Sequence, residues 1–260
     1  MFFLVDAFAE IPFCGNPAGV YFLDEYPQND KLQALARYYN FPDLAFLKRI
    51  SNNTFYIKWF APLNESPLCG HATLASSHII FENNLVNSDT INFKYNNGTL
   101  SSKLNKDKTI TMSFPIKQIQ ECQDFPFSVK TIFGTDKYVN VLKDDLLYIV
   151  VLNEADAVKN IIPAIEEIKK IDARAIVATA RGDYPFDFTS RYFSPRIGVM
   201  EDPVCASMHC RLTWFWAKEL GKTDLMAFQA SKRTGILKLK LEANHAKITG
   251  KAVTVSRFKI

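Results

Sequence analysis

The sequence predicts an α+β fold made of two like domains. Short strand-like runs alternate with a few helical stretches along all 260 residues. Each half contains one long apolar helix that follows a tight loop, and the two loops resemble each other. With 48% hydrophobic residues, including 21 phenylalanines, the chain can bury a large core without disulfides.

In the first half, apolar alternation and turn signals predict several strands and two helices. Asn29-Asp30 marks the start of the first helix, and an Asn96-Asn97-Gly98 turn lies inside a strand meander. The predicted strands cover residues 2–8, 18–23 and 55–61, the meander covers 90–114, and the apolar helix covers 71–82.

The second half repeats this order of elements. Strands are predicted near Val139 and at 146–152, 175–180 and 186–193, helices at 155–169 and 206–220, and three further strands at the end. We expect an N-terminal domain over 1–115, with the strand 246–260 as a candidate completing strand, and a C-terminal domain over 116–245.

The repeat is also visible in the residues. Trp59-Phe60-Ala61-Pro62 corresponds to Tyr192-Phe193-Ser194-Pro195, and the loop Glu65–His71 corresponds to Glu201–Ser207. Glu, Pro and Cys coincide in register in the two loops. This self-similarity predicts an internal duplication, with two domains facing each other across a pseudo-two-fold axis.

Charge and apolar runs exclude several classes of protein. The net charge of +4 is spread along the chain, so the basic patch of a nucleic-acid-binding protein is missing. The longest apolar run, 146–152, is too short for a membrane span, and the apolar N-terminus is interpreted as a first strand and not as a signal peptide. Five cysteines in a chain of this size predict no disulfide framework, so we expect a cytoplasmic protein.

The paired loops carry the chemistry. Each delivers a thiol, Cys69 or Cys205, to the start of a helix, where unpaired backbone N–H groups and the helix dipole favour an anion and lower a thiol pKa. Two such helix starts at a domain interface are suited to removing a proton beside a carboxylate.

These loops belong to a set of motifs that resembles the phenazine-biosynthesis isomerase family, within the diaminopimelate-epimerase fold. The resemblance covers essentially the whole chain. The motifs are Asp6-Ala7-Phe8, Cys14–Ala18, Asn40–Phe46, Leu68–Ala75, Ser190–Pro195, Glu201–Val204 and Gln229–Gly235.

The resemblance implies two pseudo-symmetric domains, each a curled, mainly antiparallel sheet around a central helix, with the active site between them. It also implies isomerisation without a cofactor. Asp43 matches the Glu that moves the proton in the family and is one methylene shorter. His71, Asp202 and Ser207 match the family's other catalytic residues, and the residues expected to bind substrate are Asn16, Gly70, Ala206, Arg233 and Gly235.

Two alternatives stay open. Cys69 and Cys205 are similar to the two thiols of diaminopimelate epimerase, so a two-thiol amino-acid racemase or epimerase is one. A non-catalytic binding or scaffold protein is the other, because Asp43 replaces the family Glu.

No resident metal or cofactor is expected. Cys69 and His71 stand too close in sequence to ligate one ion comfortably, and no phosphate- or dinucleotide-binding glycine loop follows a strand. The expected partner is a small carboxylate substrate, with no nucleic acid and no membrane, and a homodimer is left open.

Overall fold

The chain divides into two compact units in a computed structural model that describes residues 1–259. The first unit contains Met1–Phe114 together with the C-terminal residues from Lys247 onward, and the second contains Pro115–Ala246.

The first unit is a mixed sheet with two helices. Its elements are β1 (Phe2–Ala7), β2 (Asn16–Phe22), α1 (Asn29–Tyr39), β3 (Asp43–Arg49), β4 (Thr54–Phe60), β5 (Glu65–Ser66), α2 (Gly70–Glu82), β6 (Thr90–Tyr95), β7 (Gly98–Leu104), β8 (Ile110–Pro115) and β17 (Ala252–Phe258). Strand β16 (His245–Gly250) leads the chain back into this unit. The hairpin between β6 and β7 turns at the predicted Asn-Gly signal.

The second unit repeats this plan with shorter outer helices. Its elements are β9 (Gln120–Glu121), α3 (Val129–Phe133), β10 (Tyr138–Lys143), β11 (Leu147–Leu152), α4 (Ala155–Lys159), α5 (Ile165–Lys170), β12 (Ala175–Arg181), β13 (Phe188–Phe193), α6 (Ala206–Leu220), β14 (Asp224–Gln229) and β15 (Gly235–Glu242). A single 3₁₀ turn, Pro195–Ile197, precedes the loop to α6.

Strand pairing is the same in both units. From β1 through β2, β3, β4 and β6 to β7, successive pairs are antiparallel, parallel, antiparallel, parallel and antiparallel. The series from β10 through β11, β12, β13 and β14 to β15 follows the same pattern. Each parallel step is bridged by helix, as parallel strands require. The two units therefore share one order of strand pairing.

One helix in each unit is buried on nearly every side. Nine of the thirteen residues of α2 are buried, and the helix packs against β1, β2, β3, β7 and β17, so the sheet curls around it. Helix α6 packs against β14 and β15, and its Trp216 Nε1 donates to Thr179 Oγ1 of β12 at 3.0 Å. No helix within residues 1–259 has the length and hydropathy to cross a bilayer.

The outer face of each sheet is covered by the remaining helices. In the first unit Leu32 and Ala36 of α1 pack on Phe2, Leu44 and Phe46. In the second unit α3, α4 and α5 cover the sheet.

The single helix predicted over 155–169 is wrong. The structure has α4 and α5 with Pro163 between them. Proline has no N–H for a helical hydrogen bond and disfavours helical backbone at the residue before it, so the helix stops and restarts.

Candidate functional site

Asp43 opens strand β3 of the first unit. It follows Pro42 and pairs in parallel register with Ala18 of β2. Ser66 Oγ donates to Asp43 Oδ1 at 2.6 Å, and Asp43 Oδ2 lies 4.0 Å from His71 Nε2. The carboxylate side chain is only 13% exposed, so the first unit holds it in a largely dry pocket with one oxygen directed at the imidazole.

Cys69 and His71 lie at the start of α2. Cys69 is the residue before the helix, and its Sγ lies 3.4 Å from His71 Nδ1. Burial lowers the pKa of His71 from 6.5 to about 3, so the imidazole is neutral at pH 7. A carboxylate only accepts hydrogen bonds, which favours the proton on Nε2, facing Asp43, and the lone pair on Nδ1, facing the Cys69 thiol.

The start of α2 also offers backbone donors. The Cys69 side chain makes no capping hydrogen bond, and the first intrahelical bond runs from Thr73 N to Cys69 O. The N–H groups of Gly70, His71 and Ala72 therefore have no acceptor within the helix, which is the arrangement that binds carboxylates and enolate-like oxygens. This places the predicted residue Gly70 at a position suited to anion binding.

Asn16 is held at the start of β2 by a turn that requires glycine. Gly15 has a φ of +64°, and a Cβ there would lie 2.1 Å from the carbonyl oxygen of Ala7. Asn16 itself is fully buried and pairs with Ala7 of β1. Gly15 thus fixes the position at which Asn16 begins strand β2.

In the second unit, a loop over 201–207 carries Asp202, Cys205 and Ser207 to the start of α6. Cys205 is the residue before the helix and again makes no side-chain cap. Gln229, fully buried at the end of β14, secures this loop from two sides. Its Oε1 accepts from Cys205 N at 2.9 Å, and its Nε2 donates to Asp202 O at 2.6 Å.

A buried ion pair anchors the beginning of the same loop. Arg191 Nε and Nη2 donate to the two carboxylate oxygens of Glu201 at 2.7 and 3.0 Å. Arg191 Nη1 also donates to Ile161 O at 2.7 Å, and the guanidinium stacks over Phe193 at 5.0 Å. The planar guanidinium fits this two-oxygen contact, which fixes Glu201 next to Asp202.

The expected lowering of the Cys205 thiol pKa is wrong. Burial, with a smaller contribution from the nearby Asp202 carboxylate, raises the pKa of Cys205 to about 12. The loss of hydration outweighs the helix dipole, so this group is a thiol at pH 7. Its Sγ lies 3.4 Å from Ser207 Oγ, and Ser207 itself is exposed on the second unit.

The three remaining predicted residues of the second unit are Ala206, Arg233 and Gly235. Ala206 is the first residue of α6 and is buried. Arg233 is half-buried in the turn between β14 and β15. Gly235 packs against the loop, because a Cβ there would lie 2.3 Å from Val204 Cγ2. Gly235 therefore shapes the loop by allowing this close approach.

Four residues that position the site carried no assigned role in the sequence analysis. Ser66 orients Asp43, Gln229 and Glu201 hold the second loop, and Arg191 binds Glu201. All four lie inside or next to the quoted motifs and the repeated loops, so the signal was present. Their partners, however, lie up to about thirty residues away along the chain.

The buried imidazole predicts a pH effect on stability. His71 binds a proton near pH 3 when the protein is folded and near pH 6.5 when it is unfolded. Its contribution to the free energy of unfolding is therefore fully present above pH 6.5 and is lost as the pH falls toward 3. Within this window the His71 contribution falls by about 1.4 kcal/mol per pH unit. Between pH 7 and pH 4, the free energy of unfolding in urea should fall less steeply for His71→Gln than for wild type. The exposed His245→Gln serves as the control, and equal slopes for all three proteins would refute a neutral buried His71.

Comparison with known proteins identifies the family of this chain. The sequence profile of the phenazine biosynthesis-like family matches residues 5–257. A Pseudomonas aeruginosa protein named as an uncharacterized isomerase is 37% identical, over 96% of this chain and 94% of its own. The crystal structure of a phenazine biosynthesis family protein from Enterococcus faecalis superimposes with a TM-score of 0.92 at 33% identity, covering 98% of this chain and 96% of its own.

The epimerase fold is shared more widely. A hydroxyproline epimerase from Agrobacterium vitis matches with a TM-score of 0.64 at 10% identity, covering 98% of this chain and 90% of its own. This distant likeness concerns the fold alone. With the family profile spanning nearly the whole sequence, and relatives above 30% identity named as isomerases, the chain belongs to the phenazine biosynthesis-like family of isomerases.

Proposed function

We propose that this isomerase works without a cofactor and moves a proton on a small carboxylate-bearing substrate. The observation that carries the proposal is the contact between the Asp43 carboxylate and the neutral His71 imidazole beside the uncapped start of α2. A proton acceptor, a hydrogen-bond donor and an anion-binding helix end are thereby held within one unit.

In this proposal Asp43 removes the proton. The substrate C–H bond breaks, its electron pair moves toward the substrate carboxylate, and the proton goes to Asp43 Oδ2. The N–H groups of Gly70, His71 and Ala72 stabilise the negative charge that develops, as backbone donors do in oxyanion holes. The proton on Asp43 exchanges with solvent, and Asp43 then returns a proton at a different carbon, so that atoms and charge balance without an external oxidant.

His71 and Ser66 prepare Asp43 for this task. The hydroxyl of Ser66 fixes one carboxylate oxygen, and the Nε2–H of His71 stabilises the charge on the other. A general base that is already held in one orientation loses no further conformational entropy during the reaction.

We assign the loop of the second unit to substrate binding. The sequence repeat and the family resemblance support this assignment, which puts Asp202 and Ser207 in contact with substrate. Asn16 and Arg233 are proposed to hold the substrate carboxylate, together with the N–H groups at the start of α6.

The identity of residue 43 limits the substrate. An aspartate reaches about 1 Å less far than the family's glutamate, and a displacement of this size can cost a hundredfold in rate. We therefore propose that the substrate of this chain is an acid that places its reactive C–H closer to β3 than the phenazine-pathway acid does.

A two-thiol racemase is the second candidate, favoured by the cysteine at each helix start. Such an enzyme needs one thiolate as the base and one thiol as the acid. With its pKa raised to about 12, Cys205 can serve only as the acid, and Cys69 would have to be the base. Asp43 can remove and return the proton without sulfur, with His71 stabilising its charge, which is why the isomerase is preferred.

Deuterium uptake from D₂O into a panel of unsaturated ring acids and amino acids tests the proposal. An isomerase should introduce deuterium into an unsaturated acid together with a shift of its double bond, detected by NMR and mass spectrometry. Uptake confined to the α-carbon of an amino acid supports the racemase, and no uptake into any acid supports a scaffold; either result contradicts the proposal.

A further inference from the structure

Asp43, Cys69 and His71 form a compact group of potential metal ligands. One ligand atom from each side chain lies within 4.8 Å of the other two, and within residues 1–259 no other group of three or more His, Cys, Asp or Glu side chains is this close. Thiolate, imidazole and carboxylate are the ligands that Zn²⁺ takes in proteins. The two-residue spacing was expected to keep Cys69 and His71 from ligating one ion, but it brings the thiol and the imidazole together.

The distances are close to those of a tetrahedral site. His71 Nε2 lies 3.9 Å from Cys69 Sγ and 4.0 Å from Asp43 Oδ2, so it is the ligand atom common to both contacts. Zinc bonds of about 2.0–2.3 Å place neighbouring ligand atoms roughly 3.3–3.6 Å apart. Rotations of the three side chains that shorten these separations, by at most about 1.5 Å from the limit of 4.8 Å, therefore close the site.

Neighbouring groups orient these ligands. Ser66 donates to Asp43 Oδ1 and directs Oδ2 toward the imidazole. With Nε2 on the metal, the His71 proton lies on Nδ1 and points away from the metal. Hydrogen bonds of this kind to ligand atoms fix their orientation and strengthen metal binding.

We propose that Zn²⁺ binds to Asp43, Cys69 and His71 and reversibly inhibits the isomerase. The Cys69 S–H bond breaks as the Zn–S bond forms, and the proton leaves to solvent. Three protein ligands leave a fourth position for water or a carboxylate. The inhibition rests on the proposed function, because the metal occupies the atoms that move the proton. The binding of the metal does not depend on that function.

The duplicated loop of the second unit supplies a matched control. At the positions equivalent to Cys69 and His71 it carries Cys205 and Ser207, so the imidazole is replaced by a hydroxyl. Removing the Cys205 thiol should therefore leave zinc binding unchanged, whereas removing the Cys69 thiol should abolish the site.

Cobalt titration of the metal-free protein tests binding without any activity assay. Wild type and Cys205→Ala should each bind one Co²⁺ with a thiolate-to-metal charge-transfer band and the visible spectrum of a tetrahedral site. Cys69→Ala should lose the charge-transfer band, and Cys69→Ser should bind Zn²⁺ at least tenfold more weakly by calorimetry. Circular dichroism confirms that each variant is folded. A band that persists in Cys69→Ala, or its absence from wild type, overturns the proposal.

Deuterium exchange then tests inhibition. Zn²⁺ should reduce the rate of deuterium exchange, with half-inhibition at the Zn²⁺ concentration that half-saturates the site in calorimetry. A chelator should restore the rate. Exchange that is unaffected or increased at saturating Zn²⁺ contradicts inhibition. If the cobalt spectrum appears as expected but no acid exchanges at all, the metal site stands and the proposed function fails.

Discussion

Asp43→Asn is expected to lower the rate of deuterium exchange by about 10²–10⁴-fold, the usual contribution of a general base. Asparagine has the same shape and can still accept the hydrogen bond from Ser66, but its amide cannot take up a proton at neutral pH. The initial rate of deuterium uptake into the substrate acid is the measurement. The fold should be retained, as judged by circular dichroism and the urea midpoint.

Two further variants sharpen this result. Asp124→Asn changes an exposed aspartate of the second unit and should exchange at the wild-type rate. Asp43→Glu restores the family's reach and should raise activity on the phenazine-pathway acid if that acid is a substrate. An Asp43→Asn protein that exchanges within twofold of wild type would show that another group carries the proton.

The second large effect is expected on stability. Glu201→Ala removes the carboxylate that pairs with Arg191 and leaves this arginine, whose side chain is 10% exposed, without its counter-charge. Breaking a buried pair from one side costs about 3 kcal/mol, because the remaining charge stays desolvated. The free energy of unfolding in urea should fall by this amount. Exchange should also slow, because Glu201 anchors the loop that carries Asp202.

An exposed ion pair of the first unit provides the control. Glu25 pairs with Lys48 at 2.5 Å, but its side chain is 83% exposed. Glu25→Ala should therefore change the unfolding free energy by less than about 1 kcal/mol. Equal losses for Glu201→Ala and Glu25→Ala would contradict the anchoring role of the Arg191–Glu201 pair.

Local features of the site were accessible from the sequence because helix starts depend on a few consecutive residues. The loops ending in Cys69 and Cys205 repeat in register, and the structure has α2 and α6 beginning at the next residue in each case. The break at Pro163 was equally local and could have been predicted from the proline alone.

Features that depend on tertiary contacts could not be obtained in this way. The approach of His71 to Asp43 follows from pairing of β3 within the sheet, and the bond from Ser66 follows from the short strand β5. The direction of the Cys205 pKa shift depends on burial, which a helix start in the sequence does not reveal. Likewise, Gln229 contacts the loop across more than twenty residues of chain.

The central claim, that a carboxylate and not a thiol moves the proton, is tested most directly by comparing two proteins on one substrate. Deuterium uptake into the acid that wild type exchanges fastest is measured for Asp43→Asn and for the double variant Cys69→Ala/Cys205→Ala. We predict that the double cysteine variant keeps most of the wild-type rate and that Asp43→Asn loses it. The reverse result, exchange that survives in Asp43→Asn and vanishes without the two thiols, would contradict this account in favour of the racemase.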